Sequence, residues 1–143
     1  MNRIEFGELK IGEIAKNNLL HVCETNWASG GPKVKELEKK WSSLFGYARS
    51  VAMSSGTDGC INACLTLYDL RCAVRGDEVI VPALSFIATS NGVRAAGFTP
   101  KFVDVERETL NINENKIEEA ITDKTIAIMP VHTMGRPCDM EKI

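Results

Sequence analysis

The chain has 143 residues, 44% of them hydrophobic and 25% charged, with a formal net charge of -2. That is the composition of an ordinary soluble globular protein, long enough for about one domain with a core of useful size. The near-neutral charge gives no basis for nucleic acid or an anionic membrane as partner, and no apolar run reaches membrane-spanning length. The segment "MNRIEFGELK" lacks the apolar stretch of a signal peptide. Five cysteines (Cys23, Cys60, Cys64, Cys72 and Cys138) show no CxxC spacing, and only His21 and His132 could join them. No metal site is expected, and free thiols suit a reducing cytoplasm.

In chain order, "IGEIAKNNLLHV" predicts one short amphipathic helix, broken by Ser29-Gly30-Gly31-Pro32. Pro32 fits the first turn of a second helix. Its run Val34, Leu37, Trp41, Leu44 and Phe45 has the spacing of a buried stripe, and Gly46 suits its C-cap. The charged run Lys33–Lys40 carries two glutamates and reads as a solvated face. "YARSVAMSS" predicts a short strand into a loop. "DGCINACLTLYDL" predicts a helix with Ile61, Cys64, Leu65 and Leu67 or Tyr68 inward, Cys60 and Cys64 being small core residues.

A turn at Arg75-Gly76-Asp77 precedes the apolar strand Val79-Ile80-Val81, stopped by Pro82. "SFIATSNGVRAAG" predicts a helix closed by Gly97, and "TPKFVDVE" a second strand. A helix is expected from about Asn113, then a third strand, "KTIAIMPVH", then one more helix starting in "RPCDMEKI". Near-continuous apolar strands alternating with helices argue for a parallel sheet covered on both faces, an α/β fold. Residues 1–30 read as an N-terminal arm before this body.

In such sheets ligands sit beyond the carboxyl ends of strands. Three stretches qualify: Ser54–Asp58, Pro82–Thr89 and His132–Arg136. At the first, a helix begins among small donors. Its N-terminus attracts anions, Gly56 lets backbone approach a ligand, and Thr57 adds a hydroxyl. The stretch has neither a Walker lysine nor GxGxxG spacing, and ordinary helix capping explains the same residues. At the second, Phe86 stands beyond a strand with Ser85, Thr89 and Ser90 beside it. It could stack on a flat cofactor ring or belong to the core.

Five blocks in order complete the pattern: "GGPKVKELEKKW", "SSGTDGCINACL", "GDEVIVPALSFIATSNGVRAAGFTPKFVDVE", "LNINENKIEEAIT" and "AIMPVHTMGRPCDMEKI". From about Gly30 onward the sequence resembles the DegT/DnrJ/EryC1/StrS family of sugar aminotransferases, which depend on pyridoxal 5'-phosphate (PLP). The resemblance implies the N-terminal part of the large domain of a fold-type I PLP-dependent transferase, residues 31–143 forming an incomplete major domain. It gives Gly56, Thr57 and Asp58 the cofactor phosphate, Asp58 through its backbone N–H. It gives Phe86 the pyridine ring, with Ser85 and Thr89 flanking it.

His132 either closes a strand against backbone or lines the site. Met134 occupies a place that is often aromatic or polar in the family, which leaves substrate preference open, and no role is assigned to Trp27 or the Gly30-Gly31 loop. The implied substrates are a nucleotide-linked keto sugar and an amino donor such as glutamate, in a cytoplasmic homodimer. Family members are more than twice this length and carry, further along, an acidic partner for the pyridine nitrogen and the Schiff-base lysine. None of the lysines here matches that motif, so no catalytic residue is assigned. The 143 residues, whose last residue falls in an expected first helical turn, read as an N-terminal piece that does not transaminate alone. The alternatives are a lysine-lacking sugar dehydratase of the same family and a catalytically silent fragment or partner subunit. A sheet of only these strands would expose an edge and an apolar face.

Overall fold

The computed structural model describes residues 7, 9–27 and 29–143. The chain divides into two compact units, residues 1–52 and 53–143. In the first, α1 (Glu13–Thr25) ends at Asn26 in the left-handed region. The second helix, α2 (Pro32–Phe45), begins with Pro32 in its first turn and ends at Gly46, whose φ of 71° places it in the same region. Both ends follow from the sequence signals.

The stripe of α2 does not form a buried face. Leu37, Trp41, Leu44 and Phe45 are all exposed, because the described part of this unit contains helices but no sheet to lie against. Trp41 and Phe45 instead shield each other, with ring centroids 4.6 Å apart. The expected strand in "YARSVAMSS" is also absent. That segment is tied to α2 through Ser42 Oγ–Ser50 Oγ (2.8 Å) and a bond from Ala52 N to Glu38 Oε1 (2.9 Å). Side chains, and not a neighbouring strand, take its polar groups.

The second unit is the α/β body. It comprises α3 (Gly56–Arg71), β1 (Glu78–Pro82), α4 (Ala88–Ala95), β2 (Thr99–Val103), the short α5 (Ile117–Ala120) and β3 (Thr125–Ile128). The sheet is parallel in the order β2-β1-β3, with Val79 opposite Pro100 and Ala127. As the middle strand, β1 is buried on both faces, and alternate residues serve each. Val79 and Val81 pack with Cys64, Ala73, Val93, Ala96 and Phe98 from the α3/α4 layer. Ile80 packs with Val103, Ile112, Ile117 and Cys138 on the α5 side.

Leu67 and Tyr68 of α3 join the first cluster as expected, but Leu65 is exposed. One helix layer has only one inward stripe, and Cys64 holds the centre of it. Residues 136–143 hold a single turn at 140–142 and not the expected helix, with Lys142 N and Ile143 N both donating to Asp139 O. A single turn of bonds does not exceed the cost of helix nucleation.

Two glycines set the helix geometry. Gly97, at φ 94°, ends the α4 segment in a conformation that disfavours side chains, and an added Cβ would meet Tyr68 Oη at 2.9 Å. Gly92 lets α4 touch α3, since a Cβ there would lie 2.9 Å from Cys60 Cβ and 3.4 Å from the Cys60 carbonyl carbon. Gly59, by contrast, has nothing within 4 Å of such a Cβ.

The two glycines of α3 and α4 should therefore respond in opposite directions. Replacing a helical glycine by alanine stabilises by about 0.5–1 kcal/mol where space allows, whereas overpacking costs about 1–3 kcal/mol. Gly59→Ala is expected to raise the urea unfolding midpoint and Gly92→Ala to lower it. Equal midpoints for the two variants would contradict the close α3–α4 contact.

Candidate functional site

Because the sheet is parallel, all three strands end at the same edge. The chain runs from β1 through α4 to β2 on one side, then returns through α5 to β3 on the other side of β1. The two connections cover opposite faces. The carboxyl ends of β1 and β3 therefore flank a topological switch point, the position at which open α/β sheets bind ligands. Residues 83–87 leave β1 on one side of it. Residues 129–136 leave β3 on the other, with Met129 N donating to Ile80 O at 2.8 Å.

The first turn of α3 reaches this region through its contact with α4. Cys60 and Ile61, one turn into α3, meet Gly92, one turn into α4. Ser55 is the N-cap: its hydroxyl accepts from Asp58 N at 3.1 Å, and its carbonyl accepts from Gly59 N at 3.1 Å. The amides of Gly56 and Thr57 precede any intrahelical acceptor and are left for an acceptor outside the helix. The space before Gly56 is open, with nothing within 4 Å of where a Cβ would stand.

Asp58 faces back over the cap, where its Oδ2 accepts from the hydroxyls of Ser54 and Ser55. The Ser54 hydroxyl, then that of Ser55, hold its carboxyl below the usual carboxylate range. A carboxylate lowered by folding stabilises the protein at neutral pH, and that contribution fades as acid carries the pH down through the lowered value. The contribution therefore persists from neutral pH well into the acid range.

Phe86 is 77% exposed and belongs to neither core cluster of the second unit. Ser85 is half-buried, its hydroxyl donating to Phe86 O at 3.3 Å. Thr89 is buried in the first turn of α4, with its N–H on Phe86 O at 3.0 Å. The two flanking residues therefore fix the backbone of the aromatic.

On the opposite wall, His132 Nδ1 accepts from Cys138 N at 3.0 Å. This is the backbone-closing role, and it leaves the imidazole exposed. Met134 is 95% exposed with φ at 53°. Sequence reasoning passed over Asn111, a buried amide that organises this wall. Its only sequence signal is a polar residue between Leu110 and Ile112. Among the described residues no cluster of three or more His, Cys, Asp or Glu could hold a metal ion, and no helix is long and apolar enough to cross a membrane.

A phosphate monoester carrying a flat ring fits these residues. Two outward amides, the Thr57 hydroxyl and open ground before Gly56 suit the phosphate, and the free face of Phe86 suits the ring. The Asp58 N–H is occupied by Ser55 Oγ, so of the three amides those of Gly56 and Thr57 are the ones left for an outside acceptor.

The chain is similar to several known proteins. The chain is 37% identical over 133 residues to the spore coat polysaccharide biosynthesis protein SpsC of Bacillus subtilis (strain 168), covering 93% of this chain and 33% of SpsC. Among solved structures it is similar to the E. coli GDP-4-keto-6-deoxy-D-mannose-3-dehydratase with bound hydrated PLP (TM-score 0.84, 30% identity, 94% of this chain and 35% of that one). It is also similar to the GDP-4-keto-6-deoxymannose-3-dehydratase ColD with bound GDP-perosamine (TM-score 0.82, 31% identity, 89% and 33%). The chain thus spans about a third of the length of these relatives. The α/β architecture is that of the fold-type I PLP-dependent enzymes. Residues 10–143 match the model of the DegT/DnrJ/EryC1/StrS aminotransferase family, and the chain belongs to that family.

Proposed function

We propose that this chain forms part of a PLP-dependent sugar aminotransferase, with residues 1–30 as an arm and 31–143 as part of the major domain. The observation that carries the reading is the pairing, at one sheet edge, of an open helix N-terminus at Gly56–Thr57 with the exposed ring of Phe86. PLP, when bound, acts as an electron sink for the carbon that bears the amine.

The residues of this chain bind and orient. Gly56 and Thr57 hold the phosphate, and Asp58 adds its N–H when Ser55 releases it. Phe86 covers one face of the ring, while Ser85 and Thr89 keep its backbone in place. Asp58, held ionised by Ser54 and Ser55, keeps the cap in one arrangement. The substrates proposed are a nucleotide-linked keto sugar and an amino-acid donor such as glutamate. Family membership and the nucleotide sugar bound by ColD support this. A homodimer is proposed for the complete protein. Five thiols, none in a disulfide, support a cytoplasmic setting.

A second reading, a PLP-dependent sugar dehydratase, is favoured by the dehydratases among the similar structures. A third reading is a catalytically silent fragment or partner subunit. Product mass separates the first two: gain of an amino group from the donor marks the transferase, loss of a hydroxyl the dehydratase. No turnover with PLP bound supports the silent reading.

Two binding outcomes are expected for the purified chain. PLP should bind in competition with inorganic phosphate, and Thr57→Val, which removes one hydrogen bond to a charged group worth about 1.5–3 kcal/mol, should weaken it by roughly 10–100-fold. Titration by absorbance or calorimetry checks this. PLP binding that ignores both phosphate and Thr57→Val would place the phosphate elsewhere. Phe86→Ala should cost about 0.5–1.5 kcal/mol of stacking, roughly two- to tenfold in affinity, and Phe86→Trp should restore it. Equal affinity for the Ala and Trp variants would remove the ring from the site.

A further inference from the structure

We propose that Asn111 is a positioning residue that clamps the loop after β3 into the second wall of the cofactor site. The inference rests on the site reading given above. Asn111 is 4% exposed, and every hydrogen bond of its carboxamide goes to this loop. Oδ1 accepts from Thr133 N at 2.9 Å, and Nδ2 donates to Arg136 O and Pro137 O, both at 3.0 Å. One side chain thus meets an amide on one side and two carbonyls on the other, which no carboxylate and no apolar residue can do.

Further bonds converge on the same loop. Thr133 Oγ1 donates to Leu110 O at 3.1 Å, Cys138 N donates to His132 Nδ1, and Cys138 Sγ donates to Val131 O at 3.2 Å. Held this way, Met134 adopts φ 53°, a left-handed conformation uncommon for a side chain of its kind, and stands almost wholly in the open. A strained, exposed residue persists only when its surroundings over-determine it. The clamp itself sits on the turn after β2, where Asn111 O accepts from Glu106 N at 2.8 Å and Val105 bridges Ile112. It therefore connects the β2 side of the sheet to the β3 side of the switch point. Asn111 does not touch the cofactor position. It fixes the backbone of the residues that face it.

The test joins hydrogen exchange to PLP binding. In Asn111→Asp, which keeps the acceptor for Thr133 N but opposes the two carbonyls, exchange at the amides of Thr133, Gly135, Arg136 and Cys138 should rise about tenfold or more. The amides of Val79–Val81 should stay unchanged. The induced circular dichroism of bound PLP should fall and its Kd rise severalfold, while the affinity for inorganic phosphate, set at α3, stays level. Thr133→Val, which removes the Thr133 Oγ1 bond to Leu110 O but keeps the backbone N–H on Asn111 Oδ1, should reproduce the effect more weakly. Loop amides that stay protected would overturn the clamp. Loosened loop amides with an unaltered PLP signal would overturn the wall. A wild-type chain that gives no PLP signal would instead overturn the site reading, and the inference with it.

Discussion

The second unit depends on the burial of β1 from both sides. Val79, Ile80, Val81 and Pro82 are essentially without solvent contact, and each neighbouring element is placed by the face of β1 that it covers. Val79 and Val81 draw α3 and α4 to one side, and Ile80 draws the α5 segment to the other. Burial of each such side chain contributes about 1.5–3 kcal/mol, a large share of the stability of a small domain. Opposite-face coverage also fixes the topology. With one connection above the sheet and one below, β2 and β3 must flank β1, and the gap at their carboxyl ends follows without any residue being dedicated to it.

The same economy applies at the N-terminus of α3. A helix start leaves unpaired amides whether or not the protein binds anything. Ser55 takes Asp58 N with its hydroxyl and Gly59 N with its carbonyl. Capping thus accounts for the rear of the turn and leaves its front, Gly56 and Thr57, available. Capping and anion binding use different donors of one turn, and they need not compete. Two serine hydroxyls engage the Asp58 carboxylate and hold it back over the cap.

Much of this was legible in the sequence because it depends on local patterns. The strands showed as apolar runs, α2 showed by Pro32 and Gly46, and the end of α4 by Gly97. Gly56–Asp58 and Phe86 were legible as positions just beyond a strand or at a helix start. Features set by what lies opposite were not legible. The α2 stripe has ideal helical spacing, yet periodicity records only that a face is apolar, not that something covers it. "YARSVAMSS" has strand composition, but a strand needs a partner with a free edge, and Ser42 and Glu38 supplied other contacts. Asn111 was missed for the same reason, since its three partners lie 22 to 26 residues away.

The loop after β3 illustrates how such a distant partner shapes a site. His132 and Cys138 would make a plausible catalytic or metal pair by residue type alone. In place, the His132 Nδ1 is occupied as an acceptor for Cys138 N, and burial is the main force pushing the Cys138 thiol up, away from the reactive thiolate. Both residues are thus used in holding backbone. These groups hold the loop, which presents outward the thioether of Met134, the imidazole of His132 and the exposed side chain of Arg136. The opposite wall is built likewise, with Ser85 bonded to Phe86 O and Thr89 N bonded to the same oxygen, so that an apolar ring faces out. Polar groups in both walls are turned inward to fix the backbone. The unpaired amides at this edge lie in the first turn of α3 and the exposed ring is that of Phe86, the two features on which the proposed ligand, anionic at one end and flat at the other, depends.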